Sequence, residues 1–201
     1  MADPAGQLRE CFRGRVCLMG MGNTDYGDDG FGAILSEIIA ERLKSYREAA
    51  GRHEVINART MPERFINSVV EKGFNHLIFI DAVEFGGAPG SVIFLNSEEM
   101  TGRFPQISTH KISPGLMAKW IEACGTTKAW LLGVQPDSLK PAKGLTKDVQ
   151  TTLEILEEMI CDLWASGGPA TSQGDTQGTS EDKCHKGEGR QEGKLMEEVN
   201  I

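Results

Sequence analysis

The chain has 201 residues, 39% of them apolar, and a formal net charge of −8. That length suits one domain with a proper core. The acidic balance argues against nucleic acid and membrane surfaces as partners, since both reward basic patches. No apolar run approaches the ~20 residues of a membrane span. The opening MADPAGQLRECFRGR carries basic residues but no signal-like apolar segment behind them, so a cytoplasmic protein is expected. Cys11, Cys17, Cys124, Cys161 and Cys184 form no C-x-x-C pair, which predicts reduced thiols, with Cys17 and Cys161 buried.

Residues 1–13 read as a loose, flexible extension. RVCLMG is a short strand, and GFGAILSEIIAERLKSYREA after it places Ile34, Leu35, Ile38, Ile39 and Leu43 at helical spacing. HEVINA is a second strand. PERFINSVVEKG is a helix that opens on Pro62 and stops at Gly73. HLIFIDAV is almost continuously apolar, as in a strand buried on both faces. FGGAPG is turn material leading into a strand, SVIFLN. In SPGLMAKWIEACG, Ser113 is the expected N-cap of a helix and Pro114 its first residue. AWLLGVQP is a further buried strand, and LTKDVQTTLEILEEMICDLW is a long helix with Val149, Leu153, Leu156, Ile160 and Leu163 down one side.

After Trp164 the composition turns to Gly, Ser, Thr, Gln and charge. Such a segment cannot offset its ordering entropy. The domain is therefore expected over 14–165, with 166–201 a disordered polar tail. The element order argues an α/β fold: an open, mostly parallel sheet with helices on both faces. FGGAPG is too short for a crossover. SVIFLN should then pair antiparallel with HLIFIDAV or leave the sheet locally.

In an open α/β sheet, ligands bind beyond the carboxyl ends of the parallel strands, at the switch in strand order. That rule picks out GMGNTDYGDDG, then Asp81 and Glu84, His110 in STHK, and Gln135 and Asp137 in GVQPD. The first loop has the glycines of a phosphate cradle, but Asp25 stands at the third fingerprint position and no P-loop lysine follows. Asp25, Asp28 and Asp29 would repel a pyrophosphate, so a nucleotide-binding domain is the weaker reading. Asp28 and Asp29 could each cap the following helix, yet two adjacent acids cannot both cap well. Asp81 ends a buried apolar strand, where a carboxylate is costly unless hydrogen-bonded or metal-bound. His110 alone reads as a solvated loop residue. Together, two carboxylates and an imidazole at strand ends make a mixed oxygen and nitrogen site suited to zinc, nickel or manganese.

GNTDYGDDGFG, IDAVEFGGAPGSV, STHKIS and GVQPDSL occur in this order, and with them the chain resembles the [NiFe]-hydrogenase maturation endopeptidases. The likeness is greatest to those serving hydrogenases of the formate-hydrogenlyase type, and it runs from about Val16 to Trp164. It implies a twisted five-stranded sheet between helices. It also implies an aspartic-type endopeptidase that removes a C-terminal extension from the hydrogenase large-subunit precursor once nickel is loaded.

By the resemblance, Asp29, Asp81 and His110 are the metal-contacting and catalytic residues. The nickel is supplied by the precursor, and other divalent ions are able to occupy the site. Asp28 and the Gln135 turn are expected to serve substrate binding. INARTMPE departs from the family's small or glycine-rich turn by carrying Asn57 and Arg59, and Asp25 stands where an apolar residue is usual. A non-catalytic, nickel-sensing docking factor for the same precursor would use the same ligands and is the alternative.

Overall fold

Val16–Met21, the first strand (β1), is buried along its whole length because it lies inside a sheet covered on both faces. The structure is a computed structural model and describes residues 3–44, 53–103 and 112–166. Five strands lie in the order β2-β1-β3-β5-β4, where β2 is Glu54–Arg59, β3 His76–Ala82, β4 Val92–Asn96 and β5 Lys128–Val134. The β2/β1, β1/β3 and β3/β5 pairs are parallel, and β4 runs antiparallel to β5. The expected open, mostly parallel α/β sheet is present, with five strands.

The period-two pleat sorts the strand residues into two cores. Val16, Leu18, Ile78, Ile80, Leu132 and Val134 face α1 (Pro4–Cys11), α2 (Phe31–Leu43) and α6 (Lys147–Ser166). Cys17, Met19, Leu77, Phe79, Ala129 and Leu131 face α3 (Ile66–Lys72), α4 (Ser97–Arg103) and α5 (Pro114–Cys124). Asp81 continues the Leu77–Phe79 row, so it ends the second face.

Three expectations are corrected. Residues 4–11 are not a loose extension. Asp3 caps α1 through both carboxylate oxygens, onto the Ala5 and Gly6 N–H groups, and Leu8, Cys11 and Phe12 are buried in the first core. The Asp-Pro start was a legible helix signal. The helix α4 has no counterpart in the expected elements, although Asn96 and Glu99 form a reciprocal capping box. The Asn96 side chain accepts from the Glu99 N–H at 2.9 Å, and Glu99 accepts from the Asn96 N–H at 3.0 Å. Finally, β4 pairs with β5 rather than β3. Its link stays at one sheet edge and need span only two strand spacings, about 10 Å, across the end of β5. It is fastened there by Val83 N–H to Val134 O, Gly90 N–H to Gln135 O and Gln135 N–H to Ser91 O, at 2.8, 2.9 and 2.8 Å.

The start of α2 sits on the sheet with no room for a side chain. A Cβ at Gly32 would lie 1.9 Å from Ile80 O and 2.6 Å from Met21 O. Both obstacles are backbone, so Gly32→Ala must push the helix off β1 and β3. The expected loss is about 3 kcal/mol or more, beyond ordinary overpacking, read as a lower urea midpoint.

Burial pushes the Cys11 thiol up to about 12, with Glu10 adding to the effect, and raises Cys17 and Cys161 as well. These three buried thiols are inert packing; Cys124 is exposed, and Cys184 lies outside the described residues.

At the far end of the sheet, His76 Nδ1 accepts from Trp130 Nε1 at 3.1 Å, and Trp130 stacks on Phe94. Burial lowers the His76 pKa below its ordinary value, with Glu10 opposing the shift. The unfolded state therefore binds this proton more tightly. The contribution is intact above the unfolded value and is lost as pH falls through it. Wild type should lose more melting temperature than His76→Gln between about pH 7.5 and pH 5, followed by circular dichroism.

Candidate active site

The strand order reverses direction between β1 and β3, which makes the crevice at their carboxyl ends the ligand position of this sheet. A 3₁₀ turn, Gly27–Gly30, carries Asp28 and Asp29 across that crevice into α2. Gly22 adopts φ 117, and a Cβ there would fall 1.7 Å from Asp29 O. The exit of β1 and the acidic turn are thus in direct contact. Gly32, three residues after Asp29, touches Ile80, the neighbour of Asp81. Asp29 and Asp81 therefore flank the same crevice.

Neither acid caps the helix through its side chain. Asp29 is 8% exposed, and its Oδ2 accepts from the Asn23 N–H at 2.8 Å. Among the described residues this is the sole partner of its carboxylate. Asp81 is 6% exposed, and its Oδ1 accepts from the Ala82 N–H at 3.0 Å. Both carboxylates sit at the rim of the core, and each accepts a backbone N–H. His110 lies outside the described residues, in the segment between α4 and α5. The chain re-enters the structure at Ile112, packed on the second core, the face that Asp81 ends. Among the described residues no group of three or more His, Cys, Asp or Glu is gathered closely enough to hold a metal.

Asp28 was expected to bind substrate, and the structure gives it another task. It is 0% exposed, and its oxygens accept from the N–H groups of Asp137, Ser138 and Thr146 and from the Thr146 hydroxyl, at 2.9, 3.0, 2.7 and 2.9 Å. Nothing remains for a substrate. The same two segments are joined by Gly27 N–H to Ala142 O, Asp28 N–H to Ser138 O and Ala142 N–H to Asp25 O. Asp28 is a latch between the acidic turn and the loop after β5. No short-range pattern marks it, because its partners stand more than a hundred residues away.

Gln135 is likewise occupied. Its Oε1 accepts from the N–H groups of Phe85 and Gly87, and its Nε2 donates to Pro136 O. With 9% exposure, it shapes the loop after β3 from behind rather than offering its amide to a substrate. Asp137 enters the site through its backbone N–H, as a donor to the Asp28 latch.

The switch point of an open α/β sheet is where such folds take ligands, and here Asp29 and Asp81 flank it. The profile of the hydrogenase maturation protease family matches residues 38–163, a span that includes Asp81, His110 and Gln135 and begins after Asp28 and Asp29. The chain is 31% identical to the Hydrogenase 2 maturation protease of Escherichia coli K12 over 164 residues, covering 76% of this chain and 93% of that one. It is 24% identical to the Hydrogenase 3 maturation protease of the same organism over 151 residues, with 75% and 92% covered. Among solved structures, the [NiFe] hydrogenase maturation protease HycI of Thermococcus kodakarensis superposes with a TM-score of 0.68 at 26% identity, over 79% of this chain and 98% of that one. The hydrogenase maturating endopeptidase HybD of E. coli gives 0.57 at 27% identity, over 76% and 94%.

The fold is thus the open α/β sheet of the hydrogenase maturation proteases on which it superposes. The chain belongs to the hydrogenase maturation protease family. Among the described residues no helix is long and apolar enough to cross a membrane.

Proposed function

We propose that this protein cleaves the C-terminal extension from the large-subunit precursor of a [NiFe]-hydrogenase, and that it recognises the nickel already held by that precursor. The observation that carries the reading is Asp29: a carboxylate at the switch-point crevice, mostly buried, with one N–H donor and no cation among the described residues. A carboxylate in that condition is suited to a divalent ion. Asp81, across the crevice, supplies a second oxygen donor. His110, near the start of α5, supplies the nitrogen that favours nickel over magnesium or calcium.

In this reading Asp29, Asp81 and His110 engage nickel as part of the substrate, and the precursor without metal docks unproductively. Other divalent ions fit the same donor set. With the extension across the crevice, a carboxylate is placed to take the proton of the attacking water. The metal-bearing substrate supplies the charge that stabilises the tetrahedral oxyanion. The aspartic-type assignment and a cytoplasmic location belong to the same proposal.

The test is incubation of purified protein with nickel-loaded and nickel-free precursor, followed by intact mass. Loss of the C-terminal extension from the loaded form alone is the expected result. A stable complex of unchanged mass would replace the peptidase reading with that of a nickel-sensing docking factor. Equal cleavage of both forms would remove the nickel checkpoint.

A further inference from the structure

Arg59 closes β2 with φ 51, the one non-glycine in a left-handed backbone conformation among the described residues. A β-bulge leads into it. The β1/β2 register passes from Gly20 opposite Asn57 to Met21 opposite Arg59, which leaves Ala58 as the extra residue. The Arg59 carbonyl accepts from the Gly22 N–H at 3.0 Å, one residue before the Asn23 N–H that holds Asp29. The bulge therefore braces the exit of β1 at the candidate site, as bulges beside active sites commonly do.

All of that backbone geometry would be met without strain by glycine, for which left-handed φ is free. Arginine occupies the position at a cost, the kind of backbone outlier that directs attention to its side chain. That side chain is 58% exposed. Its Nη2 stands 3.6 Å from Glu37 Oε2, a loose solvent-facing pair that a stronger partner displaces. It is a planar cation on the residue whose backbone braces the β1 exit, with exposed Met61 two residues on. The guanidinium fork matches a carboxylate in two parallel hydrogen bonds.

We propose that Arg59 is a specificity-determining residue that takes a carboxylate of the substrate polypeptide at the β2 side of the crevice, an inference that rests on the peptidase reading above. Steady-state cleavage of nickel-loaded precursor by wild type and Arg59→Gly, with calorimetric binding of the same precursor to both, tests it. The glycine variant should melt at the same temperature or higher, because the strain is gone. Its KM should rise about tenfold with kcat within about twofold, and added salt should raise the wild-type KM toward the variant's. An unchanged KM, or a KM equally insensitive to salt in both proteins, overturns the assignment. If wild type binds the precursor and leaves it whole, the peptidase reading fails, and a tenfold affinity difference still supports Arg59. Equal affinities, or no binding by either protein, overturn it.

Discussion

Asp28→Ala is expected to destabilise the protein by about 4 kcal/mol, close to the loss of a buried ionic partner. The reason is what it leaves behind. Three backbone N–H groups, of Asp137, Ser138 and Thr146, and the Thr146 hydroxyl all point at one carboxylate that is closed to solvent. Removing the acceptor strands buried donors at about 1–3 kcal/mol each, less whatever water recovers. The loop after β5 would then detach from the acidic turn. Asp28→Asn keeps the shape but turns an amide N–H₂ toward donors, so it should recover little of the loss. Urea unfolding measures both variants, and a midpoint within experimental error of wild type for Asp28→Ala would show that the loop is held by its backbone bridges alone.

Asp29→Asn and Asp81→Asn are expected to behave in the opposite way. Each carboxylate accepts a local backbone N–H, which an amide oxygen can still accept. Stability should therefore change by less than about 1 kcal/mol. Precursor cleavage should fall by about a thousandfold, within the scale of removing a positioned general base. Neighbouring residues 28 and 29 would thus fail by different routes, one by unfolding and one by chemistry. Thermal unfolding and cleavage measured on the same preparations separate the two. Full activity in Asp29→Asn would remove it from the site.

Much of the architecture was legible locally. The alternation of apolar runs with 3.6-residue patterns marked all five strands. It also marked the helices α2, α3, α5 and α6, whose buried stripes lie where the spacing of Leu35 and Ile39, or of Val149, Leu153, Leu156 and Ile160, places them. Two short helices escaped because they are held by caps rather than by long stripes. Asp3 fixes α1, and Asn96 with Glu99 fixes α4. The placement of β4 escaped for a different reason. Chain length limits how far a link can reach, and this link had reach enough to pass the end of β5.

By itself the sequence determined which residues are candidates for the chemistry. A glycine-rich turn with acids in place of a phosphate site, and a carboxylate ending a buried strand, are local facts. They bring forward Asp28, Asp29 and Asp81 before any coordinates, and the family resemblance singles out Asp29 of the adjacent pair. Only the tertiary structure decided what each polar side chain is left free to do. Asp28 and Asp29 are adjacent and chemically identical, yet one is consumed by donors contributed from residues 137–146 while the other keeps its carboxylate at the crevice. The same holds for Gln135, whose amide is taken up by Phe85, Gly87 and Pro136. A hydrogen-bond inventory is closed by partners brought from distant parts of the chain, and sequence spacing holds no record of them. The strain at Arg59 is of the same kind, because a left-handed φ is imposed by the β1 exit it must reach.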